Sequence, residues 1–411
     1  MGAGIAIGMV AVNMNGQQIV TDWVKPWGQV FMRLLQLIAV PLVIISLIKG
    51  VIELGDISKV SKLGMRTLVL YFLTTLVAIM VGVTLAMTVK PGQFFDAGQA
   101  DFLSETYSQT VNRVMEEQTK KDAPLQFLFE IVPDNIFAAL NDNRKMLQII
   151  FFALLFGIAA LTIGQKKTEP LLKLLHSLYE IILKMIDYVI RAAPYGVAAL
   201  MAGLVVDSSG NMSLFGALAI YGITVLAGLL FILFCFYPLL IKLFTKIPVK
   251  RYLKEAYPAQ LLAFTTSSSA AVMPVTVDVA KNRLKIPEEV CSFVIPIGTT
   301  VNMDGTSCFQ AISVIFIAQV LGLDLTFAQI LTIIFMTTIS SIGTPAIPGG
   351  SYVILTMVLT SVGIPAHGLA LILGIDRPLD MVRTSVNVTG DLALSALVAA
   401  SLPENETNDK K

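Results

Sequence analysis

Apolar stretches long enough to cross a lipid bilayer recur along most of this chain. A helix needs about 20 residues to span the hydrocarbon core. Seven stretches of roughly that length or more cover residues 27–52, 63–89, 146–163, 175–205, 214–244, 290–321 and 366–402. Because lipid cannot satisfy free backbone groups, the pattern predicts an all-α polytopic membrane protein.

An eighth apolar stretch, residues 2–12, precedes the others and is short for a span. With no basic residue before it, it is a poor candidate for a signal peptide. We expect either a trimmed first helix or one that further residues complete. With this stretch included, the chain has eight predicted transmembrane helices.

The composition supports a membrane protein and excludes several other classes. The chain is 55% hydrophobic and 14% charged, whereas soluble domains are about 25% charged. A net charge of +1 provides no basic surface for nucleic acid. The three cysteines lack disulfide or metal-ligand spacing, and the two histidines stand far apart. We therefore expect neither a zinc site nor an organic cofactor.

Basic residues are concentrated in alternate loops. They are Lys59, Lys62, Arg66, Lys166, Lys167, Lys173, Lys242, Lys246, Lys250, Arg251, Lys254, Lys281, Arg283 and Lys285. Because cytoplasmic loops carry the excess of Lys and Arg, these loops are predicted to be cytoplasmic, as is the C terminus with Lys410 and Lys411. We expect a multi-pass protein of the plasma membrane, the inner membrane of the cell, with residues 91–124 as an extracellular loop.

Two segments, residues 257–278 and 330–358, depart from the spanning pattern. Each has two short apolar arms around a tip of small or helix-breaking residues, at residues 265–271 and 343–351. Since neither arm is long enough to span, re-entrant helical hairpins fit better. The flanking charges place them on opposite faces, which indicates inverted repeats around a site at the membrane midplane.

A polar sequence, residues 298–306, interrupts the apolar span between these hairpins. Asn302, Asp304 and Gly305 favour a turn between two short helices. Non-helical backbone at this depth must line a protein cavity. Free carbonyl oxygens and the Asp304 carboxylate are ligands that hard cations prefer. We therefore predict an unwound, cation-binding segment at Asn302–Thr306.

The last apolar span carries a stripe of polar side chains. Its members are Asp376, Asp380, Arg383, Thr384, Asn387 and Asp391. On a helix they fall within an arc of roughly 100°. Interhelical hydrogen bonds are the simpler interpretation, but intramembrane charges are costly and usually functional. The planar Arg383 suits a carboxylate and Asp380 an ammonium group, which favours a zwitterion with a further carboxylate. Pro378 is expected to kink this helix or delay its start.

Together, the serine-rich first tip, the Asn302-Met303-Asp304-Gly305-Thr306 segment, the Gly/Pro-rich second tip and the stripe resemble the glutamate transporter family, the dicarboxylate/amino acid:cation symporters. The likeness extends over essentially the whole chain. It implies an elevator-type homotrimer in the lipid bilayer that carries acidic amino acids with sodium as coupling ion. Residues 1–64 and 125–205 would form the scaffold, and residues 65–90 and 206–411 the transport domain.

The resemblance also implies which residues bind the substrate. Arg383 would bind the side-chain carboxylate, with Thr306 beside it. Asp380 would hold the amino group, helped by Thr384. The remaining substrate contacts would be Asn387 and Ser268 at the main-chain carboxylate, and Ile347 in the second tip.

Three sodium sites follow from the same resemblance. The first would use Asp391 with backbone oxygens of Gly298, Asn302 and Asn387. The second would use the backbone of Thr300 with Ser341, Ile342 and Thr344. The third would use Asp304 and Asn302 with Tyr71, Thr74 and Thr75, although Tyr71, Thr74 and Thr75 alone are equally explained as a helix-packing cluster.

Several alternatives remain open from the sequence. The same fold could carry a C4-dicarboxylate, cystine or a neutral amino acid. The paired aspartates prompt an intramembrane aspartyl protease, but Asp376 and Asp391 lie about four turns apart. A passive channel is a third class. Gln310 stands where proton-coupled animal members carry a glutamate, so we expect sodium coupling without proton or potassium exchange.

Overall fold

The computed structural model describes residues 2–60, 62–94, 132–141, 145–207, 213–344, 346 and 350–401. Across these ranges all regular structure is helical, with no strand. The α-helices are α1 (Gly2–Asn13), α2 (Lys25–Val60), α3 (Lys62–Val89), α4 (Ile136–Leu140), α5 (Met146–Ile163), α6 (Gln165–Asp207), α7 (Ser213–Phe231), α8 (Tyr237–Phe244), α9 (Val249–Thr266), α10 (Ser269–Asp278), α11 (Glu288–Val301), α12 (Asp304–Val320), α13 (Phe327–Gly343), α14 (Gly350–Ser361), α15 (Leu369–Leu373) and α16 (Asp376–Ala400). A short α-helical turn, Gln17–Ile19, and a π-helical turn, Val20–Val24, lead into α2.

Four helical stretches in the described ranges are long and apolar enough to cross a membrane. They are Gln17–Lys49, Gly64–Phe94, Gly216–Phe244 and Glu288–Val320. Helix α6 is long, but charged residues such as Lys184, Asp187 and Arg191 interrupt its hydropathy. Helix α16 likewise carries the polar stripe. An all-helical membrane protein is therefore confirmed, whereas the number of spans stays a prediction.

One group of helices is built around α2. Helices α5 and α6 pack along it, and α1 packs against α6. Glycines permit the close approach, since small residues let helix backbones meet. A Cβ at Gly4 would clash with the carbonyl oxygen of Ala198, and one at Gly28 would lie 2.7 Å from Cγ of Leu200.

A second group surrounds the polar helix α16. Helices α9, α11 and α12 pack against it, and α3 packs along the other side of α12. A Cβ at Gly82 in α3 would lie 2.6 Å from the carbonyl oxygen of Cys308 in α12. Apart from Gln319, every residue of α12 is buried. The polar segments predicted from sequence therefore lie inside this second group.

Helix breaks occur close to the predicted positions. Helix α9 ends in the left-handed residue Ser267, and Ser268 caps α10 by accepting a hydrogen bond from the Ala271 amide. Helix α13 ends at Gly343, and α14 begins at Gly350. Both segments predicted as hairpins thus consist of two helices with a break at the tip, and the paired arms pack together.

Two sequence predictions about helix ends are wrong in detail. The unwound segment is only Asn302–Met303 rather than Asn302–Thr306. Helix α12 begins at Asp304, where an acidic side chain favours the positive helix N-terminus. The span predicted at residues 366–402 breaks before Asp376. Pro378 therefore lies in the first turn of α16, the position that tolerates proline.

Some predicted features lie outside the described residues. In the predicted extracellular loop the structure describes only the 3-10 turn Pro91–Phe94. The undescribed residues are 95–131, Pro345 and residues 347–349 of the second tip, the C-terminal tail from residue 402, and the shorter gaps at residues 1, 61, 142–144 and 208–212.

Candidate functional site

The polar stripe of α16 faces the interior of the second helix group. Asp376, Asp380, Arg383, Asn387 and Asp391 are all buried. Burial of charged groups in an apolar protein is costly unless each is paired. Their partners therefore indicate what the stripe can bind.

Arg383 is held between two carboxylates. Its Nη1 lies 2.9 Å from Oδ1 of Asp376, and its Nη2 donates to Oδ2 of Asp376 at 3.1 Å and to Oδ1 of Asp380 at 2.8 Å. The guanidinium carbon lies 3.8 Å above the ring of Phe309, a cation–π contact. Nε donates to no residue that the structure describes. Nη1 likewise makes no hydrogen bond among the described residues, although it lies within ion-pair distance of Asp376. The guanidinium therefore keeps buried donors that match a ligand carboxylate.

Asp376 is the two-point ion-pair partner of Arg383. The reason is helical geometry, because residues seven apart lie about two turns along the same face. Tyr352 of α14 also contacts Asp376. The seven-residue spacing of Asp376 and Arg383 indicated their contact. No feature of the sequence indicated the contact between Asp376 and Tyr352.

Asp380 lies at the edge of the buried stripe. Thr384 donates its hydroxyl to the backbone carbonyl of Asp380 at 2.9 Å rather than to the carboxylate. Oδ2 of Asp380 faces Nη1 of Arg377 at 3.8 Å. Sequence reasoning missed Arg377, although its spacing of three residues from Asp380 was a signal.

Asn387 joins α16 to the start of α12. Its Oδ1 accepts from the Gly305 amide at 2.8 Å, and its Nδ2 donates to Oγ1 of Thr306 at 3.3 Å. A Cβ at Gly305 would lie 2.7 Å from the Arg383 carbonyl oxygen, so only glycine permits this approach. The predicted substrate residues Thr306, Asn387 and Arg383 are therefore neighbours.

The residues expected at the first sodium site converge at the break between α11 and α12. Nδ2 of Asn302 donates to Oδ1 of Asp391 at 2.9 Å and to the carbonyl of Asn387 at 3.2 Å. A Cβ at Gly298 would clash with Oδ1 of Asp391 and with the hydroxyl of Tyr71. These residues bring carboxylate, amide and carbonyl oxygens together.

Two oxygens at this break are buried without a hydrogen-bond partner within the described part of the chain. They are Oδ1 of Asn302 and Oδ2 of Asp391. Buried polar atoms are normally paired, so unpaired acceptors need an explanation. Hard cations bind oxygen ligands at unwound helix segments. The donor set therefore fits a sodium ion.

Hydroxyl groups of three residues surround the carboxylate of Asp304. Thr75 of α3 donates to Oδ1 at 2.7 Å, and Tyr237 of α8 donates to Oδ2 at 2.9 Å. The Thr74 hydroxyl of α3 also interacts with this carboxylate. Tyr71 donates to the Val294 carbonyl at 3.0 Å instead. Tyr237 was missed, because an aromatic residue in an apolar run carries no sequence signal of this contact.

Thr74 directs its hydroxyl to a backbone oxygen. It donates to the carbonyl of Tyr71, one turn earlier, at 3.2 Å. Thr74 is buried beside Thr75. Its hydroxyl is therefore partly used within α3.

The residues expected at the second sodium site make internal contacts. The hydroxyls of Thr300, Ser341 and Thr344 each donate to a backbone carbonyl of the preceding turn, at 3.0, 2.8 and 2.8 Å. A cavity of about 280 Å³ is lined by both Val301 and Ser341, so the ends of α11 and α13 lie close together. The side chain of Ile342 is outside the described set, as is Ile347 altogether.

The two helix-break tips touch. Oγ of Ser268 donates to the carbonyl of Ala346 at 2.8 Å. Ser268 also caps α10 through the Ala271 amide at 3.3 Å. The structure therefore joins Ser268 to the second tip, and among the described residues Ser268 makes no hydrogen bond to α16.

Buried ion pairs and unpaired oxygens at helix breaks, inside an all-helical apolar chain, define a membrane transport protein. The sodium:dicarboxylate symporter family model matches residues 1–401. The chain belongs to this family. It is a transporter and not an enzyme, so the protease alternative is wrong.

Several curated proteins are similar over most of their length. The proton/sodium-glutamate symport protein of Bacillus caldotenax is 35% identical over 409 residues, covering 99% of this chain and 93% of that protein. Its Bacillus subtilis (strain 168) namesake is 36% identical over 396 residues, covering 96% and 90%. The proton/glutamate-aspartate symporter of Escherichia coli (strain K12) is 33% identical over 386 residues, covering 93% and 86%.

Proposed function

We propose that this chain is a sodium-coupled secondary active symporter of acidic amino acids, aspartate or glutamate. The observation that carries the proposal is Arg383, a buried guanidinium with an unpaired Nε next to the carboxylate of Asp380. An arginine beside an aspartate matches a ligand that has both a carboxylate and an ammonium group. The similar proteins from Bacillus caldotenax and Escherichia coli are named as glutamate and glutamate-aspartate symporters, which supports the same substrates.

In this proposal each end of the substrate has its own partner. The side-chain carboxylate binds Arg383 beside Thr306. The ammonium group binds Asp380 beside Thr384. Asn387, Ser268 and Ile347 complete the site at the main-chain carboxylate and in the second tip. Asp376 and Asp380 neutralise the charge of Arg383 before substrate binds. On binding, the substrate carboxylate takes the place of one of these carboxylates as a partner of Arg383.

Sodium ions would occupy the three predicted sites. The first, at Asp391 with Asn302, has the strongest support because two of its oxygens are buried and unpaired among the described residues. Asp304 with Thr75 supports the third. The second would depend on backbone oxygens. Sodium supplies positive charge that favours an anionic substrate nearby and orders the Asn302–Met303 break.

The proposed architecture is an elevator with eight transmembrane helices, two re-entrant hairpins and inverted repeats. Helices α9 and α10 form hairpin 1, and α13 and α14 form hairpin 2, which opens as the extracellular gate. Residues 65–90 and 206–411 move as the transport domain against a scaffold of residues 1–64 and 125–205. The assembly is a homotrimer in the plasma membrane, with the C terminus in the cytoplasm.

A C4-dicarboxylate is the second candidate, favoured by the family description. Asp380 argues against it, because a second ligand carboxylate would face that aspartate without a cation between them. Arg383 argues in turn against cystine or a neutral amino acid. A competition panel of aspartate, glutamate, succinate, serine and cystine separates these substrates.

The decisive experiment is isotope uptake into proteoliposomes. We expect saturable aspartate or glutamate uptake that requires an inward sodium gradient and stops when choline replaces sodium. Uptake without sodium, or uptake that does not saturate, contradicts the proposal and indicates a passive channel.

A further inference from the structure

We propose that Arg377 is a specificity-determining residue that sets the charge balance at Asp380 and so favours anionic substrates. The inference rests on the proposed function and deepens it. No role follows for Arg377 from the stripe itself, because Arg377 is exposed whereas Arg383 is buried.

The two oxygens of Asp380 face different arginines. Oδ1 accepts from Nη2 of the buried Arg383 at 2.8 Å. Oδ2 lies 3.8 Å from Nη1 of Arg377, whose side chain is 61% exposed whereas that of Asp380 is 12% exposed. Asp380 therefore lies between a buried cation and an exposed one.

The position of Arg377 is unfavourable for the helix itself. Arg377 is the second residue of α16, where the helix dipole is positive and a cation is destabilising. The exposed contact with Asp380 is longer than a hydrogen bond and contributes little stability. Helix stability therefore does not explain an arginine here, whereas charge at the site does.

The charge balance depends on Arg377. Asp376 and Asp380 carry two negative charges and Arg383 one positive charge, which leaves a net charge of −1 without Arg377 and zero with it. An acidic amino acid itself carries a net charge of −1 at neutral pH. A single charge within about 10 Å near a protein surface changes the affinity of such a ligand about fivefold. A neutral amino acid is affected less, because its charges cancel.

The test is the dissociation constant for aspartate, measured by titration calorimetry on the purified full chain at fixed sodium. We expect Arg377→Ala to weaken binding about fivefold, Arg377→Glu to weaken it further, and Arg377→Lys to remain within about twofold of the unmodified protein. Serine affinity, measured by competition, should change less than about twofold. Added choline chloride should reduce the difference, since salt screens exposed charges.

Arg191→Ala is the matched control. Arg191 is another exposed arginine, paired with Asp187 on α6 rather than with a stripe residue. Its removal should leave aspartate binding unchanged. The inference is wrong if Arg377→Ala binds aspartate as tightly as the Arg191→Ala control does, or more tightly. It is also wrong if Arg377→Lys is as impaired as Arg377→Ala. In each of these cases the proposed function stands. If the unmodified protein binds no acidic amino acid, the proposed function fails and the inference with it.

Discussion

Asp376 and Arg383 form a two-point ion pair inside the protein, with both side chains fully buried. The pair links the start of α16 to its substrate-facing middle. Because the guanidinium cannot lose its proton in the protein, its charge needs a carboxylate at all times. Asp376 thus holds Arg383 in position while the unpaired Nε stays available.

Replacement of Asp376 by alanine is predicted to destabilise the protein. The change leaves Arg383 with Asp380 as its remaining carboxylate partner, and loss of one partner from a buried ion pair costs about 3 kcal/mol of unfolding free energy. Denaturant titration in detergent measures the loss, and the melting temperature should fall. Asp324→Ala is the control, because Asp324 is exposed. Equal stability of the two variants contradicts the role given to Asp376.

Replacement of Arg383 by cysteine is predicted to remove acidic substrates selectively. Loss of a buried charge partner corresponds to at least about thirtyfold weaker aspartate uptake, while neutral amino acids can still bind through Asp380. Uptake of labelled aspartate and serine in proteoliposomes compares the two. The control is Arg251→Cys, since Arg251 is exposed and donates to the Arg283 carbonyl rather than to a stripe residue. Unchanged aspartate uptake by Arg383→Cys would falsify the substrate assignment.

Replacement of Asp391 by asparagine is predicted to weaken sodium coupling. The change removes a charged oxygen ligand beside Asn302, so the sodium concentration for half-maximal aspartate binding should rise about tenfold or more. Aspartate binding is measured across a sodium series. Exposed Asp278 accepts a hydrogen bond from Asn282, outside the predicted sodium sites, so Asp278→Asn should show the unmodified sodium dependence. If Asp391→Asn and Asp278→Asn show the same sodium dependence of aspartate binding, Asp391 is not part of a sodium site.

Transport is predicted to move no proton. Gln310 is fully buried, and neither side-chain oxygen nor nitrogen has a hydrogen-bond partner among the residues described. Its amide cannot carry a proton across the membrane. The relatives from Bacillus caldotenax and Escherichia coli are named as proton symporters. A measurement of proton movement therefore distinguishes this chain from them. A pH-sensitive dye inside sodium-free proteoliposomes, diluted into sodium buffer, should report no acidification during aspartate uptake, and substrate-dependent acidification contradicts the prediction.

Local chemistry in the sequence was enough to locate the helix breaks and the polar helix. Asn302 and Gly343 lie where the helices end, because small and polar residues there do not support continuous apolar helices. The stripe from Asp376 to Asp391 followed from helical periodicity alone, and it is buried as predicted. The extent of the unwound segment did not follow, because the start of α12 at Asp304 depends on hydrogen bonds that residues such as Asn387 provide.

The sequence by itself determined an all-helical membrane protein with a charged face on its last long helix, because hydropathy and periodicity are local properties. Only the tertiary structure decided which charges meet. Thr75 reaches Asp304 across 229 positions, and Tyr237 reaches the same carboxylate across 67. Those contacts depend on how α3, α8 and α12 pack, which no local pattern encodes. The same packing leaves Oδ1 of Asn302 and Oδ2 of Asp391 without a hydrogen-bond partner among the described residues. These oxygens are what makes the helix break suitable for a cation.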